Sequence, residues 1–144
     1  MPANVGQPTA SARLILMAGT AADLMAPDPV SIRADATIKD AMALFTDRGI
    51  SAAPVIGEAG RSVGVISHSD IIAHEREKTP HDDGSAQVRD VMTPALFSVA
   101  PETSAAKVVE QMLGLHVHRL FVVDSTGLLV GVISTFDVLG KLRG

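Results

Sequence analysis

The sequence contains one segment twice, and this duplication constrains the fold more than any other feature. A shift of 67 positions superimposes residues 23–70 on residues 90–137 without a gap. Both copies end alike, in GVISHSD and GVISTFD, so each closes with a serine and an aspartate three residues later. An ungapped match of this length indicates a tandem duplication of one structural unit. A unit of about 60 residues buries too little surface to be stable alone, so we expect the two units to pack against each other.

The borders of the two units follow from the repeat and from the composition of the segments beside it. Residues 1–19 are predicted to form an N-terminal tail, because the first part is rich in Pro, Gly, Ser and Thr. Residues 20–77 are predicted to form the first unit, residues 78–87 a linker and residues 88–144 the second unit. The linker, KTPHDDGSAQ, is polar and contains Pro and Gly, as connecting segments do. The tail before Thr20 could instead form an ordered strand on a neighbouring unit.

Hydrophobic periodicity predicts the elements inside each unit. Apolar residues recur at helical spacing over residues 38–45, between Thr37 as an N-cap and Gly49 as a helix stop. Two apolar runs follow as strands, and a second helix begins at the serine–aspartate segment. The second unit repeats this order, with helices from about Ser104 and about Thr135. Because the strands are apolar on both faces, we predict an α/β (α+β) fold of two packed units related by a pseudo-twofold axis.

Composition narrows the function classes and the location. The formal net charge of -4 argues against a nucleic-acid binder, which normally has a basic surplus. The chain has no Cys, so disulfides and thiolate metal sites are ruled out. The apolar run LILMAG is too short to span a membrane and makes a poor secretory signal. The sequence therefore predicts a cytoplasmic protein that contacts neither nucleic acid nor membrane.

Neither catalysis nor metal binding is predicted. The segment SHSD brings Ser, His and Asp together, but neighbouring residues cannot form a catalytic relay, which needs convergence from separate segments. His116 and His118 share one face of a strand, but no obvious third metal ligand accompanies them. We therefore predict no catalytic residue and no metal site, and we expect a protein that is not an enzyme.

Three pairs of related segments carry a resemblance to a known family. Each unit starts with LMAPDPVSI or VMTPALFSV, continues with GISAAPV or HVHRLFVV, and ends with GVISHSDI or GVISTFDV. Two full sets, in register over about residues 20–142, resemble a stand-alone tandem pair of cystathionine β-synthase (CBS) domains. The resemblance implies two βαββα-type repeats, sheets packed with flanking helices, and two equivalent clefts. Many members of the family bind adenosine-containing ligands in these clefts, and the pairs usually dimerise into a flat disc.

The resemblance assigns the ligand-binding carboxylates to Asp70 and Asp137, one in each cleft. A carboxylate accepts hydrogen bonds from both hydroxyls of a ribose, and the first turn of a helix offers free N–H groups to phosphate. The hydroxyls expected to assist belong to Ser67, Ser69, Ser134 and Thr135. The resemblance places Asp70 and Ser67 opposite Val117, His118, Arg119 and Leu120. It places Asp137 and Ser134 opposite Ile50, Ser51, Ala52 and Ala53, while Val30 and Phe97 form the pocket floors.

Asp70 and Asp137 also have an interpretation that needs no ligand. A Ser-x-x-Asp segment before an apolar run is a capping box, and such a cap alone stabilises a fold by about 1 kcal/mol. The alternative function is therefore a ligand-free structural or dimerisation module that binds a partner protein.

The two clefts are expected to differ in charge. Arg119 can bind a phosphate through two parallel hydrogen bonds, and His118 can add positive charge near neutral pH. The residues at the matching positions of the other cleft, Ser51 and Ala52, are neutral. We therefore expect the Asp70 cleft to prefer a phosphorylated adenosine, and the Asp137 cleft to be empty or to take a less charged ligand.

The sequence thus predicts a regulatory module for energy sensing. Its expected ligands are AMP, ADP or ATP, with S-adenosylmethionine as a further adenosyl candidate, and no cofactor is required. The first helices carry more apolar residues than one pair of units can bury, which indicates a homodimer. A regulated protein partner completes the expected set of partners.

Overall fold

The computed structural model describes residues 14–79, 84–94 and 96–144. Residues 1–13 of the predicted tail and residues 80–83 of the predicted linker lie outside the described residues. The predicted mixed α/β fold of two like repeats is confirmed.

Each repeat runs from a short first helix through a long helix and an antiparallel strand pair to a closing helix. The helices are α1 (Ala21–Leu24), α2 (Ile38–Arg48), α3 (His68–Glu77), α4 (Val88–Val91), α5 (Ala105–Leu115) and α6 (Thr135–Leu139). The strands are β1 (Ile15–Leu16), β2 (Ala26–Pro27), β3 (Ile32–Arg33), β4 (Ala52–Ile56), β5 (Ser62–Ser67), β6 (Ser98–Val99), β7 (Arg119–Val123), β8 (Leu129–Ser134) and β9 (Leu142–Arg143). A 3-10 turn, Glu58–Gly60, joins β4 to β5.

Helix α2 begins and ends where the sequence predicts, and helix α5 begins where the sequence predicts. Thr37 Oγ1 accepts a hydrogen bond from the Asp40 backbone N–H at 3.1 Å, and the Asp40 carboxylate accepts the Thr37 N–H at 3.0 Å. Gly49 ends α2 with a φ of 64°, a left-handed conformation that glycine adopts without a Cβ clash. Ser104 caps α5 by accepting the Lys107 N–H at 3.2 Å. These helix boundaries are confirmed.

Each repeat adds a segment to the sheet of the other. In the first repeat β4 pairs with β3 in parallel and with β5 antiparallel, and in the second β7 pairs in the same way with β6 and β8. Strand β2 of the first repeat joins the second sheet beside β8, where Ala26 lies opposite Val132. At the equivalent place, Thr93 of the second repeat forms a bridge to Val65 on β5. The two repeats are therefore linked by reciprocal strand pairing.

The first helix of each repeat belongs to the hydrophobic core of the other. Helix α1 buries Ala21 and Leu24 in the core formed by α5, β7 and β8. Helix α4 buries Val88 in the core of the first repeat. Backbone hydrogen bonds hold both helices: the Ala21 N–H donates to the Thr103 carbonyl at 2.7 Å, and the Val88 N–H to the Ala36 carbonyl at 2.8 Å. Each core is thus built from both repeats.

The glycine of each GVIS segment lets the exchanged segment lie directly against the sheet. A Cβ on Gly64 would collide with the backbone carbonyl oxygen of Thr93 and lie 3.2 Å from Pro94 Cα. A Cβ on Gly131 would instead collide with the side chain of Met25. The repeated glycine is therefore required by the close approach of another segment, which is a usual reason for glycine inside a strand.

The two ends of the described chain meet in a small sheet. Within the predicted tail, β1 pairs antiparallel with β9, so that Ile15 lies opposite Arg143. The Met17 N–H also donates to the Lys141 carbonyl at 2.7 Å. The segment before Thr20 therefore includes an ordered strand on the second repeat.

Candidate functional site

Asp70 and Asp137 occupy equivalent positions in the first turns of α3 and α6. Oδ2 of Asp70 accepts the Ser67 backbone N–H at 2.9 Å and the Ser67 hydroxyl at 3.1 Å. Oδ2 of Asp137 accepts the Ser134 N–H at 2.7 Å and the Ser134 hydroxyl at 3.0 Å. Both pairs thus form the capping box that the Ser-x-x-Asp spacing predicts. The capping contacts use only one oxygen of each carboxylate, so the second oxygen decides what else each aspartate can bind.

The second oxygen, Oδ1, has different surroundings in the two clefts. Oδ1 of Asp70 accepts the hydroxyl of Thr93, which lies on the segment exchanged from the second repeat, at 3.2 Å. The matching position in the first repeat is Ala26, which has no hydroxyl to donate. Within the described residues, no donor reaches Oδ1 of Asp137. The free acceptor therefore lies in the Asp137 cleft.

A cavity of about 290 Å³ opens beside Asp137, and both repeats contribute to its walls. The lining residues are Ala26, Pro29, Val30, Ile50, Ala52, Pro54, Arg119, Phe121, Val132, Ser134 and Asp137. The cavity is near the lower end of the range for small-molecule sites, which is about 300–1,000 Å³. Its walls are mostly apolar, with charge contributed by Arg119 and Asp137. The Asp137 carboxylate therefore has room beside it for a ligand, in addition to its capping role.

Arg119 lies in a different cleft from the one that the sequence analysis expects. It was expected opposite Asp70, but it lines the cavity of Asp137. The cause is strand register: Arg119 on β7 is directly opposite Ser134 on β8, and opposed residues of an antiparallel pair project from the same face. The equivalent pair in the first repeat is Ala52 opposite Ser67, which brings no charge. The cation therefore accompanies Asp137, and the expected charge difference between the clefts is reversed.

Several other predicted site residues lie outside the Asp137 cavity. Val117, His118 and Thr135 line a separate groove of about 570 Å³ between α5 and α6. This α5–α6 groove is formed by Val109, Met112, Leu113, His116, Val117, His118, Thr135, Val138 and Leu139. The predicted residues that line neither cavity are Ser51, Ala53, Ser67, Ser69, Asp70, Phe97 and Leu120. Ala53 and Leu120 are fully buried in the cores, so their side chains offer no surface to a ligand.

The cavity also has lining residues that the sequence analysis missed. They are Ala26, Pro29, Pro54, Phe121 and Val132. Phe121 lies two residues after Arg119 on one strand, and Pro54 two residues after Ala52 on another, so the alternation of side chains along a strand could have found both. Ala26 and Pro29 reach the site through the exchange of segments between repeats, for which the sequence carries no local signal.

The described residues contain neither a candidate metal-binding cluster nor a membrane-spanning helix. In the part of the chain that the structure describes, no group of three or more His, Asp or Glu side chains could hold a metal ion. The helices among the same residues are all too short or too polar to cross a lipid bilayer.

The chain belongs to the CBS domain family. The family profile matches residues 21–77 and 88–144, so each repeat is one CBS domain, and the predicted tandem pair is confirmed. Human 5'-AMP-activated protein kinase subunit gamma-3 is 36% identical over 112 residues, which cover 74% of this chain. Inosine-5'-monophosphate dehydrogenase of Methanocaldococcus jannaschii is 29% identical over 121 residues, or 84% of this chain. The matched region spans 23% of the length of each of these two relatives.

Solved structures with the same fold include two that hold an adenine nucleotide. CBSX2 in complex with AMP superimposes with a TM-score of 0.73 and 28% identity, covering 85% of this chain and 94% of that one. The CBS domain of a bacterial CNNM/CorC family Mg2+ transporter in complex with ATP gives a TM-score of 0.69 at 25% identity, covering 85% and 86%. Adenine nucleotide binding therefore occurs among proteins that share this fold.

Proposed function

We propose that this CBS pair is a regulatory module, and not an enzyme, that binds AMP, ADP or ATP in the Asp137 cavity. The observation that carries the proposal is that Asp137, which has a free carboxylate oxygen, lines a cavity together with Arg119. Proteins of the same fold whose structures contain AMP and ATP support the choice of ligand.

The chemistry of the cavity suits each part of a nucleotide. Oδ1 of Asp137 has two lone pairs available, so it can accept hydrogen bonds from both ribose hydroxyls. Val30, Ile50 and Val132 give apolar walls for the purine ring. The Arg119 guanidinium can bind phosphate oxygens through two parallel hydrogen bonds.

Binding at this place would act on the packing of the two repeats. The cavity is lined by β4 and the segment around β2 from the first repeat, and by β7 and β8 from the second. A ligand that contacts both sides favours arrangements in which both walls are in place, which shifts the population between conformations of the pair. A partner protein whose activity responds to that shift stays a prediction, as does a cytoplasmic location.

Replacing Arg119 with alanine tests the phosphate contact. We expect the preference for AMP over adenosine to fall about tenfold, because the substitution removes a charged hydrogen-bond donor while leaving the ribose and purine contacts. Isothermal titration calorimetry with AMP and adenosine measures both affinities. Arg48→Ala changes the exposed last residue of α2, which is not among the residues that line the cavity, and is the matched control. An AMP-to-adenosine ratio that is the same in Arg119→Ala and in the unmodified protein would contradict the role given to Arg119.

The alternative of a ligand-free module that binds a partner protein is favoured by the capping boxes, since both aspartates have a structural role without any ligand. The two functions differ in one measurement. A ligand of the folded state raises the melting temperature by mass action. If AMP, ADP, ATP and S-adenosylmethionine all leave the melting temperature unchanged at millimolar concentration, the ligand-free function replaces the proposed one.

We also propose that the chain forms a homodimer through the α5–α6 groove. Its rim exposes large apolar side chains: Leu113 is 71% exposed and Leu139 60% exposed, and Phe136, next to the groove on α6, is 82% exposed. Large apolar side chains exposed around one groove are typical of a protein contact. A second copy of the chain offers the same apolar surface in return, which is how a twofold contact is built.

A charge in the α5–α6 groove is expected to break the dimer. Leu113→Glu should weaken self-association at least tenfold, about 1.4 kcal/mol, because an ionised carboxylate would lose its hydration in the contact. Sedimentation equilibrium measures the dimer dissociation constant. Ala106→Glu adds the same charge to an exposed position of α5 outside the groove, and should leave self-association unchanged. A protein that sediments as a monomer at all concentrations, or a dimer unaffected by Leu113→Glu, would contradict this contact.

A further inference from the structure

The two clefts differ in a contact that crosses between the repeats. Thr93 lies opposite Val65 on β5, joined by backbone hydrogen bonds of 2.9 Å and 2.8 Å, and its hydroxyl reaches Oδ1 of Asp70. The pseudo-symmetric residue is Ala26, which lies opposite Val132 on β8 near Asp137. The same backbone position thus carries a hydrogen-bond donor in one cleft and a methyl group in the other.

This difference determines how much of each carboxylate is left for a ligand. In both aspartates Oδ2 already accepts two hydrogen bonds, from the N–H and the hydroxyl of the preceding serine. A carboxylate oxygen has about two lone-pair sites, so Oδ2 is saturated in both clefts. The Thr93 hydroxyl takes one of the two sites on Oδ1 of Asp70. Asp70 therefore cannot accept two ribose hydroxyls without losing an existing bond, whereas Asp137 can.

We propose that Thr93 closes the Asp70 cleft to nucleotide, so that each chain binds one nucleotide, at Asp137, and that the residues at positions 26 and 93 select the open cleft. This inference rests on the proposed function and adds to it the number of sites and the residues that set that number. Asp70 then acts as a link between the repeats, held by a hydrogen bond from the exchanged segment.

A second difference between the clefts also favours nucleotide binding at Asp137 over Asp70. The residue opposite the capping serine is Arg119 in the Asp137 cleft and Ala52 in the Asp70 cleft. An anionic ligand therefore meets a cation beside Asp137 and a methyl group beside Ser67. The open acceptor and the cation lie together in one cleft, and the occupied acceptor and the neutral side chain lie in the other.

The experiment measures AMP binding by calorimetry in two sets of variants of the full chain. Ala26→Thr places the closing hydroxyl in the Asp137 cleft and should weaken AMP binding about tenfold or more, the size of one hydrogen bond to an ionised acceptor. Ala26→Val has the same shape without the donor and should bind AMP at least threefold more tightly than Ala26→Thr. The second set of variants carries Asp137→Asn, which weakens AMP binding in the Asp137 cleft. In that background, Thr93→Ala should strengthen the remaining AMP binding about tenfold. Thr93→Ser retains a hydroxyl and should stay at the level of that background.

The outcomes separate this inference from the function on which it rests. An unmodified chain that binds no AMP would overturn both. An unmodified chain that binds two AMP molecules with similar affinity would leave the proposed function standing and overturn the closed cleft. Equal weakening by Ala26→Thr and Ala26→Val would show that bulk, and not the hydroxyl, excludes the ligand, which also overturns the inference. If Thr93→Ala fails to fold, the Ala26 pair decides the question alone.

Discussion

Asp137→Asn is expected to weaken AMP binding about a hundredfold, whereas Asp70→Asn should leave it within about threefold. An amide keeps one acceptor for the capping contact with Ser134 but removes the negative charge and presents N–H donors to the ribose hydroxyls. Hydrogen bonds to an ionised acceptor are about twice as strong as neutral ones, so losing two of them has a large effect. Calorimetry with AMP, on each variant and on the unmodified chain, gives the two ratios.

The Asp70 substitution is the matched control, because it alters an equivalent capping box. Both variants alter similar contacts with a serine three residues earlier, so any general loosening of a helix start should appear in both. Thermal unfolding without ligand should show a slightly larger loss for Asp70→Asn, which also alters the contact with Thr93. Losses of AMP affinity that are equal in the two variants would rule out a site centred on Asp137.

Gly64→Ala is expected to lower the free energy of unfolding by about 3 kcal/mol, and Gly131→Ala by about 1 kcal/mol. Both glycines lie beneath an exchanged segment, so both substitutions overpack the structure. The obstacle at Gly64 is the backbone carbonyl of Thr93, which moves only if the segment moves. The obstacle at Gly131 is the side chain of Met25, which can change rotamer. Urea unfolding followed by circular dichroism measures both values.

The same pair of substitutions separates the close approach from the general effect of alanine in a strand. Both sites are buried strand positions at the same place of the GVIS segment, so intrinsic strand propensity changes equally in the two variants. Equal destabilisation of the two variants would mean that the backbone contact at Gly64 contributes nothing. Because the movement of Thr93 would also lengthen its bond to Asp70, Gly64→Ala should loosen the link between the repeats as well.

The sequence was sufficient for the features that depend on local pattern. The helix starting after Thr37 and ending at Gly49 follows from a capping box, an apolar spacing and a glycine, all within a short stretch of chain. The resemblance to the CBS family placed Asp137 in the same cleft as Ile50 and Ala52, which the cavity contains. The boundaries of the helix are fixed by spacing along the chain, and such spacing is readable without a structure.

The features that could not be predicted from the sequence depend on which segments pack together in the folded chain. Helices α1 and α4 each have four residues, too few for an apolar period, and their role as core elements appears only when they pack in the opposite repeat. The cleft occupied by Arg119 depends on its register with Ser134. The hydrogen bond from Thr93 to Asp70 joins residues 23 positions apart, and no local sequence pattern near either residue predicts it.

The reciprocal placement of α1 and α4 has a consequence for how such a chain could arise. A single copy of the unit would lack the helix that completes its core, so it could fold only by taking that helix from a second molecule. Gene duplication places both units on one polypeptide, so the exchange of helices becomes intramolecular. The effective concentration of the exchanged helix is then far higher. Once both halves lie on one polypeptide they can mutate independently, and differences such as threonine against alanine at positions 93 and 26 become accessible to selection.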